Sequence, residues 1–408
     1  MWLLDRLLTR AITRGALLLT TSDGKTHLYG DPAAEPVRIR LADSATAGRI
    51  GRNPALATGE AFMDGRLIVE SGDIMDLLQL VTANLRWDRC NDLHVSLWNQ
   101  QRIAAKWDEL NARARSKRNV AHHYDLSDKL YDLFLDPERQ YSCAYFREGN
   151  QGPDSSLEQA QIDKLDHIAK KLCLKPGMRV LDIGCGWGGM ARHIHRVSGA
   201  EVLGVTLSEE QLKYARSKAR ELGIDGKVRY ELMDYRDVQG PFDRIVSVGM
   251  FEHVGTAHFR TFYNKCRELL SPEGVMLIHT IGRVEGPGIT DAFTQKYIFP
   301  GGYIPALSEM IQGSEGTRLM VTDVEVLRMH YGLTIREWYK RTMAHKAEIV
   351  ALYDEKFFRL WTFYLAGAAT VFEHGGMVNY QVQYVRDRRT LPITRDYMIE
   401  AEAALRGR

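Results

Sequence analysis

The stretch RVLDIGCGWGGMARHIHR, residues 179–196, decides the fold of this chain. A short apolar run from Val180 to Ile183 leads into the glycine-rich turn 184–189, and a helical pattern begins near Met190. A strand, a glycine-rich turn and a helix in this order open a nucleotide-binding pocket, because the turn lets backbone N–H groups approach the ligand. The stretch therefore predicts an α/β domain that binds a nucleotide.

The segments after this turn alternate between strand and helix patterns. The helical pattern EEQLKYARSKARELG (209–223) has Ser208 in position to cap it, and the strand-like stretches are EVLGVTLS (201–208), KVRYELMDY (227–235), FDRIVSVGMFEHV (242–254) and GVMLIHTIG (274–282). Repeated β-α units of this length predict a parallel, doubly wound sheet. Beyond residue 290 aromatic-rich, mostly helical segments take over, and we expect them to form a cap over residues 290–375.

The residues before the turn predict a small domain and a linker. Residues 1–98 have the pattern of a small mixed domain, with strands in PVRIRLAD (36–43) and EAFMDGRLIVESGD (60–73) and a helix in DIMDLLQLV (73–81). The basic segment 99–120 is expected to join this domain to a catalytic domain over 121–408. Its charged face either is solvated or contacts lipid phosphates.

Composition limits the classes of partner. The chain has 408 residues, of which 45% are hydrophobic and 26% charged, as in a globular protein of two or three domains. Its net charge of +2 gives no continuous basic groove, so no nucleic-acid partner is expected. The cysteines have no paired spacing, which argues against a disulfide framework or a metal site and favours a reducing cytosol; they are Cys90, Cys143, Cys173, Cys185 and Cys266.

The first residues predict a basic amphipathic helix. Charges interrupt MWLLDRLLTRAITRGALLL (1–19), so neither a signal peptide nor a spanning helix is expected. Arg6, Arg10 and Arg14 recur at every fourth position, and such a helix either lies on an anionic bilayer or packs on its own domain. The first reading makes the protein cytoplasmic and peripheral at the inner face of the membrane. A homodimer, left open, would strengthen weak surface binding through avidity.

The residues around the turn indicate which nucleotide it binds. No Lys-Ser/Thr pair follows the glycines, which excludes a P-loop, and VTLSEEQ (205–211) has hydroxyl groups where a dinucleotide site would have an acid. The distinctive acid is Asp182, before the turn, where it can interact with a cationic amino-acid ligand. Asp234 and Tyr235 supply a polar group and a ring for adenosine. This pattern favours S-adenosylmethionine over NAD, and a methyltransferase over a dehydrogenase.

Six motifs in order carry a family resemblance. They are QYSCAYF (140–146), LDIGCGWGG (181–189), VTLSEEQ (205–211), RIVSVGMFEHVG (244–255), LIHTIG (277–282) and KYIFPGGYIP (296–305). Together they resemble the cyclopropane-fatty-acid synthase family, which includes the mycolic-acid cyclopropanases. The resemblance implies a class I Rossmann-like methyltransferase with a doubly wound sheet and a helical cap. It also implies transfer of a methylene group from S-adenosylmethionine to the cis double bond of an unsaturated phospholipid acyl chain.

The resemblance further implies the site residues. Carried over by motif, those that would hold the cofactor are Tyr141, Ser142, Asp182, Gly184, Cys185, Gly186, Trp187, Gly188, Thr206, Leu207, Gln211, Tyr235 and Arg236. Members of the family are similar in holding a bicarbonate ion in the active site. The positions that match its binding set are Cys143, Glu252, His279, the backbone of Ile281, and Tyr331.

The chemistry explains these residue types. An isolated alkene has no proton to remove first, so methyl transfer depends on positioning in a dry pocket. Transfer leaves a carbocation, which ring faces tolerate, and Tyr297, Phe299 and Tyr303 are candidates for that lining. A base, here bicarbonate, then removes a proton from the new methyl group and the ring closes. No catalytic thiol is needed, so Ala368, where family members often carry cysteine, is expected to be harmless.

Several alternatives stay open. Cys143 also suits a buried apolar position, and His279 suits a core histidine with satisfied hydrogen bonds. The aromatic stripe 357–364 forms either the core of a helical cap or an acyl tunnel. Methyl transfer without ring closure, which gives a methyl-branched or methylene fatty acid, is the nearest alternative reaction. More distant alternatives are a methyltransferase that acts on nucleic acid or a small metabolite, and a lipid carrier without enzymatic activity.

Overall fold

The computed structural model describes residues 1–89, 126–147 and 156–406 of the chain. These residues divide into two compact units. The first unit takes its described residues from Met1–Phe134, Gly288–Gly302 and Gly332–Met377, and the second from Leu135–Pro287, Tyr303–Tyr331 and Val378–Arg408. The predicted linker 99–120 and the boundaries on either side of it lie outside the described residues.

Strands and helices are numbered along the described parts of the chain. The strands are β1 (Ala16–Thr20), β2 (Thr26–Gly30), β3 (Pro36–Leu41), β4 (Leu67–Ser71), β5 (Arg179–Ile183), β6 (Glu201–Thr206), β7 (Val228–Leu232), β8 (Phe242–Val248), β9 (Leu270–Arg283), β10 (Met320–Leu327) and β11 (Met377–Val385). The helices are α1 (Trp2–Ala11), α2 (Ser44–Arg52), α3 (Pro54–Met63), α4 (Ile74–Asn84), α5 (Asp128–Phe134), α6 (Leu157–Lys171), α7 (Gly189–Ser198), α8 (Glu209–Glu221), α9 (Phe259–Leu269), α10 (Ala292–Tyr297), α11 (Leu307–Ser314), α12 (His330–Ala344), α13 (Lys346–Leu352), α14 (Glu355–His374) and α15 (Asp396–Arg406).

The first unit contains a four-stranded mixed sheet in the order β2-β1-β3-β4. Strands β1 and β3 are parallel, and the other two pairs are antiparallel. The strand predicted in 36–43 is confirmed as β3, and the helix predicted in 73–81 as α4, which begins at a capping box formed by Asp73 and Asp76.

The strand predicted over 60–73 is wrong in its first half, because residues 60–63 belong to α3. The side chain of Asn53 caps this helix and Pro54 occupies its first turn, which are both helix-start signals. Ala57 and Ala61 are buried and four residues apart, as on one helix face. The local start signals and the buried face therefore outweigh the short alternating pattern.

Helix α14 packs against α3 and α4 within the first unit. Gly59 of α3 lets the rings of Phe293 and Phe363 pack closely against the helix, because a Cβ atom there would lie 2.5 Å from the first ring and 2.7 Å from the second. The Phe363 ring centroid is 4.8 Å from Phe293 and 6.2 Å from Phe62. The aromatic stripe 357–364 thus contributes core packing to this unit.

The second unit is built on a seven-stranded sheet in the order β10-β11-β9-β8-β5-β6-β7. The neighbours from β9 to β7 are parallel, whereas β10 and β11 are antiparallel. The predicted α/β class with a doubly wound, mostly parallel sheet is confirmed. Strands β10 and β11 correct the expectation of mostly helical segments beyond residue 290. Strand β11 was not predicted, although Val378, Tyr380, Val382 and Tyr384 alternate with polar residues as in a strand. Its polar residues Asn379, Gln381 and Gln383 are buried as well.

Helices cover both faces of this sheet. In β5, Leu181 and Ile183 join a core that includes residues of α9 and α11, whereas Val180 joins a core that includes α6, α7 and α8. Successive side chains of a strand point to opposite faces, so these two cores lie on opposite sides of the sheet. Loops at the carboxyl ends of the central strands are left to form a site.

Candidate active site

The glycine-rich turn follows β5 with backbone angles that suit glycine. Gly184, Gly186 and Gly188 have φ values of 77°, 54° and 82°, which other residues rarely adopt. The N–H groups of Gly184 and Cys185 both donate to Val205 O at 3.0 Å, so the turn is tied to the end of β6. Helix α7 then begins at Gly189 with its N-terminus beside the turn.

Tyr230 of β7 contacts the last part of the turn at Gly188. The Tyr230 hydroxyl donates to Gly188 O at 2.8 Å, and a Cβ atom at Gly188 would lie 2.6 Å from that hydroxyl. The side chains of Cys185 and Trp187 are buried on either side of Gly186. The turn is therefore a glycine cradle in which a side chain at Gly184 or Gly188 would clash with Met250 or Tyr230, whereas Gly186 has open space and is favoured by its backbone angle alone.

Asp182 is the buried acid before the turn. It is 1% exposed, and its Oδ2 atom has no hydrogen-bond partner among the described residues. Burial raises the pKa of this carboxyl group to about 7, while the charge of Lys164 opposes that rise. A buried oxygen without a partner fits the cationic amino group of the predicted cofactor.

The end of β6 carries three residues of the predicted cofactor set. The Thr206 hydroxyl donates to Gln211 Oε1 at 2.8 Å, and Ser208 caps α8 as predicted. Leu207 between them is 74% exposed. The structure thus brings Thr206, Leu207 and Gln211 together next to the glycine turn.

The end of β7 carries the residues predicted to meet adenosine. A 3₁₀ turn at Tyr235–Asp237 follows Asp234, and the Tyr235 ring packs edge-on against Phe262 at 5.3 Å. The guanidinium of Arg236 pairs with Asp234 at 2.6 Å. Arg236 is therefore already engaged by the neighbouring acid.

Glu252 and Ile281 are joined directly across the ends of β8 and β9. Glu252 lies in the 3₁₀ turn Phe251–His253, and its Oε1 accepts a hydrogen bond from Ile281 N at 2.6 Å. The Oε2 atom is buried and has no hydrogen-bond partner in the described part of the chain. Burial raises the pKa of Glu252 to about 7, although the Ile281 hydrogen bond lowers it in part.

His279 lies in β9 opposite Val248 of β8, and its side chain is buried. Its Nδ1 atom is 3.1 Å from Gln381 Nε2, whereas Nε2 has no hydrogen-bond partner among the residues that the structure describes. Burial, with the nearby charges of Lys164 and Lys171, lowers the pKa of His279 to about 3. His279 is therefore a neutral imidazole with one buried nitrogen that has no partner in the described part of the chain. Its role in the site stays a prediction.

Cys143 and Tyr331 are connected through the residues beside them. Cys143 is fully buried. In the same segment, Phe146 N is hydrogen-bonded to His330 Nδ1 at 3.0 Å, and Tyr145 stacks on the His330 ring at 4.7 Å. The buried Tyr331 follows directly at the start of α12, so both residues of the predicted anion set belong to one packed region.

The three aromatic residues proposed for the acyl lining have separate surroundings. The Tyr297 hydroxyl donates to Glu60 at 3.0 Å and the Phe299 ring contacts Tyr364, all within the first unit. Tyr303 belongs to the second unit, where its hydroxyl donates to Glu309 at 2.7 Å. A common lining formed by these three rings stays a prediction.

A buried lysine was missed by the motif-based prediction. Lys164 of α6 is fully buried, and its ammonium donates to Ser142 Oγ at 3.0 Å and to Gln140 Oε1. Gln161, one turn earlier, donates to the carbonyl oxygens of Gln140 and Ser142, and partly buried Tyr141 lies between them. Polar residues on the buried face of an amphipathic helix were the signal that could have revealed this contact.

The charge of Lys164 acts on both halves of the candidate site. It lowers the pKa of Asp182 and of His279, and Cys143 and Asp182 act on Lys164 in return. Burial lowers the pKa of Lys164 itself to about 8. Lys164 is thus the residue that links the glycine turn with the Cys143 and His279 side of the site.

The described residues contain neither a metal-binding cluster nor a helix that could span a membrane. Within residues 1–89, 126–147 and 156–406, no three or more His, Cys, Asp or Glu side chains cluster so as to hold a metal ion. None of the helices in those residues is long and apolar enough to cross a membrane.

A mostly parallel seven-stranded sheet, with a glycine-rich turn and a buried acid at its central strand, defines this protein as an S-adenosylmethionine-dependent methyltransferase. The glycine cradle and the unpartnered Asp182 oxygen fit that cofactor. The family model described as mycolic acid cyclopropane synthetase matches residues 111–382. The chain belongs to this family, and the resemblance that its motifs indicate is confirmed.

Three similar proteins illustrate the relationship. A probable fatty acid methyltransferase of Pseudomonas putida is 37% identical over 89% of this chain and 91% of its own length. The cyclopropane-fatty-acyl-phospholipid synthase of Escherichia coli K12 is 38% identical over 86% of this chain and 88% of its own. The crystal structure of mycolic acid cyclopropane synthase CmaA1 complexed with SAH and CTAB is 34% identical, with a TM-score of 0.60, and covers 65% of this chain and 96% of that one.

Proposed function

We propose that this enzyme transfers a methylene group from S-adenosylmethionine to the cis double bond of an unsaturated phospholipid acyl chain, and closes a cyclopropane ring. The observation that carries the proposal is a pair of buried atoms, Glu252 Oε2 and His279 Nε2, that have no partner among the described residues. They lie at the ends of adjacent strands, and buried polar atoms are costly unless a ligand satisfies them. The name of the Escherichia coli relative supports the phospholipid substrate.

The ligand that we infer for these atoms is bicarbonate, held by Cys143, Glu252, His279, Ile281 and Tyr331. It has acceptor oxygens and one O–H donor, so it suits an imidazole N–H and a carboxyl group together. Because the pKa of Glu252 is raised to about 7, its carboxyl group can stay protonated and donate to the anion. When bound, bicarbonate supplies a small Brønsted base.

The residues around the cofactor act by positioning. We infer that Asp182 accepts a hydrogen bond from the amino group of S-adenosylmethionine, while the turn from Gly184 to Gly188 holds its methionine part. The other predicted contacts are Tyr141, Ser142, Thr206, Leu207, Gln211, Tyr235 and Arg236. An alkene needs no activation by a base, so these contacts need only align the sulfonium methyl group with the double bond.

Ring closure depends on the second set of residues. Methyl transfer leaves a carbocation on the acyl chain, and the ring closes when the new methyl group loses a proton. Glu252 is held by Ile281 N and His279 by Gln381, so both present a fixed atom toward the group that takes this proton. Disturbing either residue is expected to impair closure more than methyl transfer.

One observation favours a second product. The Pseudomonas putida relative, which is as similar to this chain as the Escherichia coli one, is named a probable fatty acid methyltransferase. Methyl transfer without ring closure would use the same cofactor residues and would leave a methyl-branched or methylene fatty acid. The two reactions share the methyl-transfer step and differ in which proton the carbocation then loses.

We also propose that α1 docks the enzyme on an anionic bilayer, from which it takes its substrate. Leu4 and Leu8 are buried, so one face of the helix packs on its own unit. The opposite side exposes Trp2, which is 68% exposed, together with Leu3 and Arg6. One face of α1 thus packs on its own unit, while its exposed side has the apolar and basic character of an interfacial helix.

The experiment that tests the proposal follows the methyl protons. Vesicles of monounsaturated phospholipid are incubated with the enzyme and S-adenosylmethionine carrying a CD3 group, and the lipids are analysed by mass spectrometry. Addition of CD2 with loss of the alkene supports ring closure. Retention of all three deuterons supports the methyl-branched form of the second product, and addition of CD2 with an alkene still present supports its methylene form. Absence of deuterium from the lipids contradicts both reactions.

A further inference from the structure

We propose that Gln381 is a positioning residue that holds His279 in the neutral tautomer with its proton on Nε2. The consequence for anion binding rests on the proposed function. Gln381 lies in β11, is fully buried, and contacts His279 on one side and Lys171 of α6 on the other. None of the sequence motifs includes it.

The orientation of the Gln381 amide follows from Lys171. The Lys171 ammonium lies 2.8 Å from Gln381 Oε1 and also contacts Glu325. An ammonium has only donors, so it must face the amide oxygen of Gln381. Glu325 in turn is 2.6 Å from His167 Nε2, and these neighbours hold the pKa of Glu325 well below its usual range. Burial lowers the pKa of Lys171, whereas the ion pair with Glu325 and the charge of Asp323 oppose that fall and favour the ammonium form.

The tautomer of His279 follows from the amide. With its oxygen toward Lys171, Gln381 presents its NH2 group to His279 Nδ1 at 3.1 Å. An NH2 group only donates here, so Nδ1 must accept and cannot carry a proton. The proton of the neutral ring is then on Nε2, which is the buried atom without a partner in the described residues.

The same contact disfavours the imidazolium. A protonated His279 would point an N–H at the NH2 group of Gln381, and it would face the charges of Lys164 and Lys171, with Glu325 opposing in part. His279 therefore stays a donor at Nε2 and an acceptor at Nδ1. This tautomer can donate from Nε2 to a bound anion, whereas the opposite tautomer would turn the Nε2 lone pair toward the anion.

Two substitutions separate this role from packing. Gln381→Glu replaces the NH2 group by an acceptor, so His279 should move its proton to Nδ1. Gln381→Met keeps the size but removes the donor, so the preference for Nε2–H should be lost. Gln383→Met is the matched control, because Gln383 is equally buried two residues along β11 and donates to Lys171 O and Tyr397, not to His279.

The readout is the ¹⁵N spectrum of the His279 ring in the full chain labelled with ¹⁵N-histidine, assigned with a His279→Asn variant. We expect Nε2–H in the wild type and in Gln383→Met, Nδ1–H in Gln381→Glu, and a mixture in Gln381→Met. Turnover should fall about 10- to 100-fold in the two Gln381 variants with an unchanged KM for S-adenosylmethionine.

The outcomes distinguish this inference from the proposed function. An Nδ1–H wild type, or Nε2–H retained in both Gln381 variants, would overturn the role of Gln381. Bicarbonate is then titrated into the wild type, where a shift of the His279 Nε2 signal is expected. If the tautomer is as expected but bicarbonate moves no signal, the role of Gln381 stands and the bicarbonate site is wrong.

Discussion

The backbone N–H of Ile281 donates to the Glu252 carboxyl group at 2.6 Å, although the two residues are 29 positions apart in the sequence. One oxygen is occupied by this bond and the other is buried without a partner among the described residues. The arrangement arises because β8 and β9 are parallel neighbours whose carboxyl ends meet at one edge of the sheet. An acid that is fixed through one oxygen presents the other in a single direction.

Replacing Glu252 by glutamine should impair ring closure rather than cofactor binding. In Glu252→Gln the amide oxygen can still accept from Ile281, but the NH2 group is a weaker donor than a carboxylic acid O–H and cannot exchange a proton with the anion. We expect turnover to fall by about 100-fold or more, and lipids labelled from CD3-S-adenosylmethionine to shift toward retention of all three deuterons. Glu268→Gln, at an exposed acid of α9 paired with Lys265, should keep the wild-type rate and product. Ring closure at the wild-type rate in Glu252→Gln would contradict the assigned role.

The buried Asp182 should make stability depend on pH. Its pKa is raised from 3.8 to about 7 in the folded protein, so between these values the folded state holds a proton that the unfolded chain has released. Raising the pH through this window therefore favours unfolding, by about 1.4 kcal/mol per pH unit from this group. The stability that the protonated group contributes is present below the unfolded pKa and is lost as the pH rises to about 7.

The measurement is urea unfolding of the wild type and Asp182→Asn without cofactor, at about pH 5, 6 and 7. The free energy of unfolding should fall more steeply with pH in the wild type than in the variant, which has no titratable group at this position. Equal slopes in the two proteins would show that Asp182 titrates in its ordinary range.

The glycine cradle predicts a matched pair of alanine variants. Gly188 and Gly177 have similar φ values of 82° and 78°, so alanine is strained to a similar degree at both. A Cβ atom at Gly188 meets Tyr230, whereas none of the described atoms lies within 4 Å of one at Gly177. We expect Gly188→Ala to weaken S-adenosylmethionine binding at least about tenfold by calorimetry, and Gly177→Ala to leave it unchanged. Equal affinities would mean that the cradle does not hold the cofactor.

Charge reversal on α1 should weaken membrane binding. Arg6 and Arg10 lie in α1, whereas Arg14 lies beyond its end at Ala11, which corrects the predicted helical row of three arginines. All three are exposed, and each basic residue near an anionic surface contributes about 1 kcal/mol. The triple change to glutamate should therefore lower affinity for vesicles rich in anionic lipid by about 100-fold or more, measured by sedimentation at low salt. The same reversal at exposed Lys213, Arg220 and Arg229 is the control and should have a smaller effect. Unchanged binding of the α1 variant would remove this helix as the docking element.

The central part of the site was predictable because its signals are local. The glycine turn, Asp182 and the residues that end β6 and β7 follow one another over short stretches, and parallel β-α units bring strand ends to one edge. The meeting of Glu252 with Ile281 has the same origin, because β8 and β9 are parallel neighbours. The motif resemblance supplied Cys143 and Tyr331, which no spacing relates to the turn.

Other features were hidden because they depend on distant partners. Lys164 and Gln381 act through side chains from α6 and β11 that only the folded sheet brings together. Their types, a lysine in a helix and a glutamine in a strand, are typical of surfaces. Residues 60–63 were assigned to a predicted strand, although Asn53 and Pro54 are start signals for the helix that contains them.

The shared core of α3, α4 and α14 imposes an order on biosynthesis. Helix α4 ends at Asn84, and α14, which packs on it, begins only at Glu355. The roughly 270 residues between them take about 15 to 50 seconds to synthesise. During that interval the apolar faces of α3 and α4 have left the ribosome without their covering helix. The core of the first unit is therefore begun early in synthesis and completed late, and its apolar surface is open to aggregation during that interval.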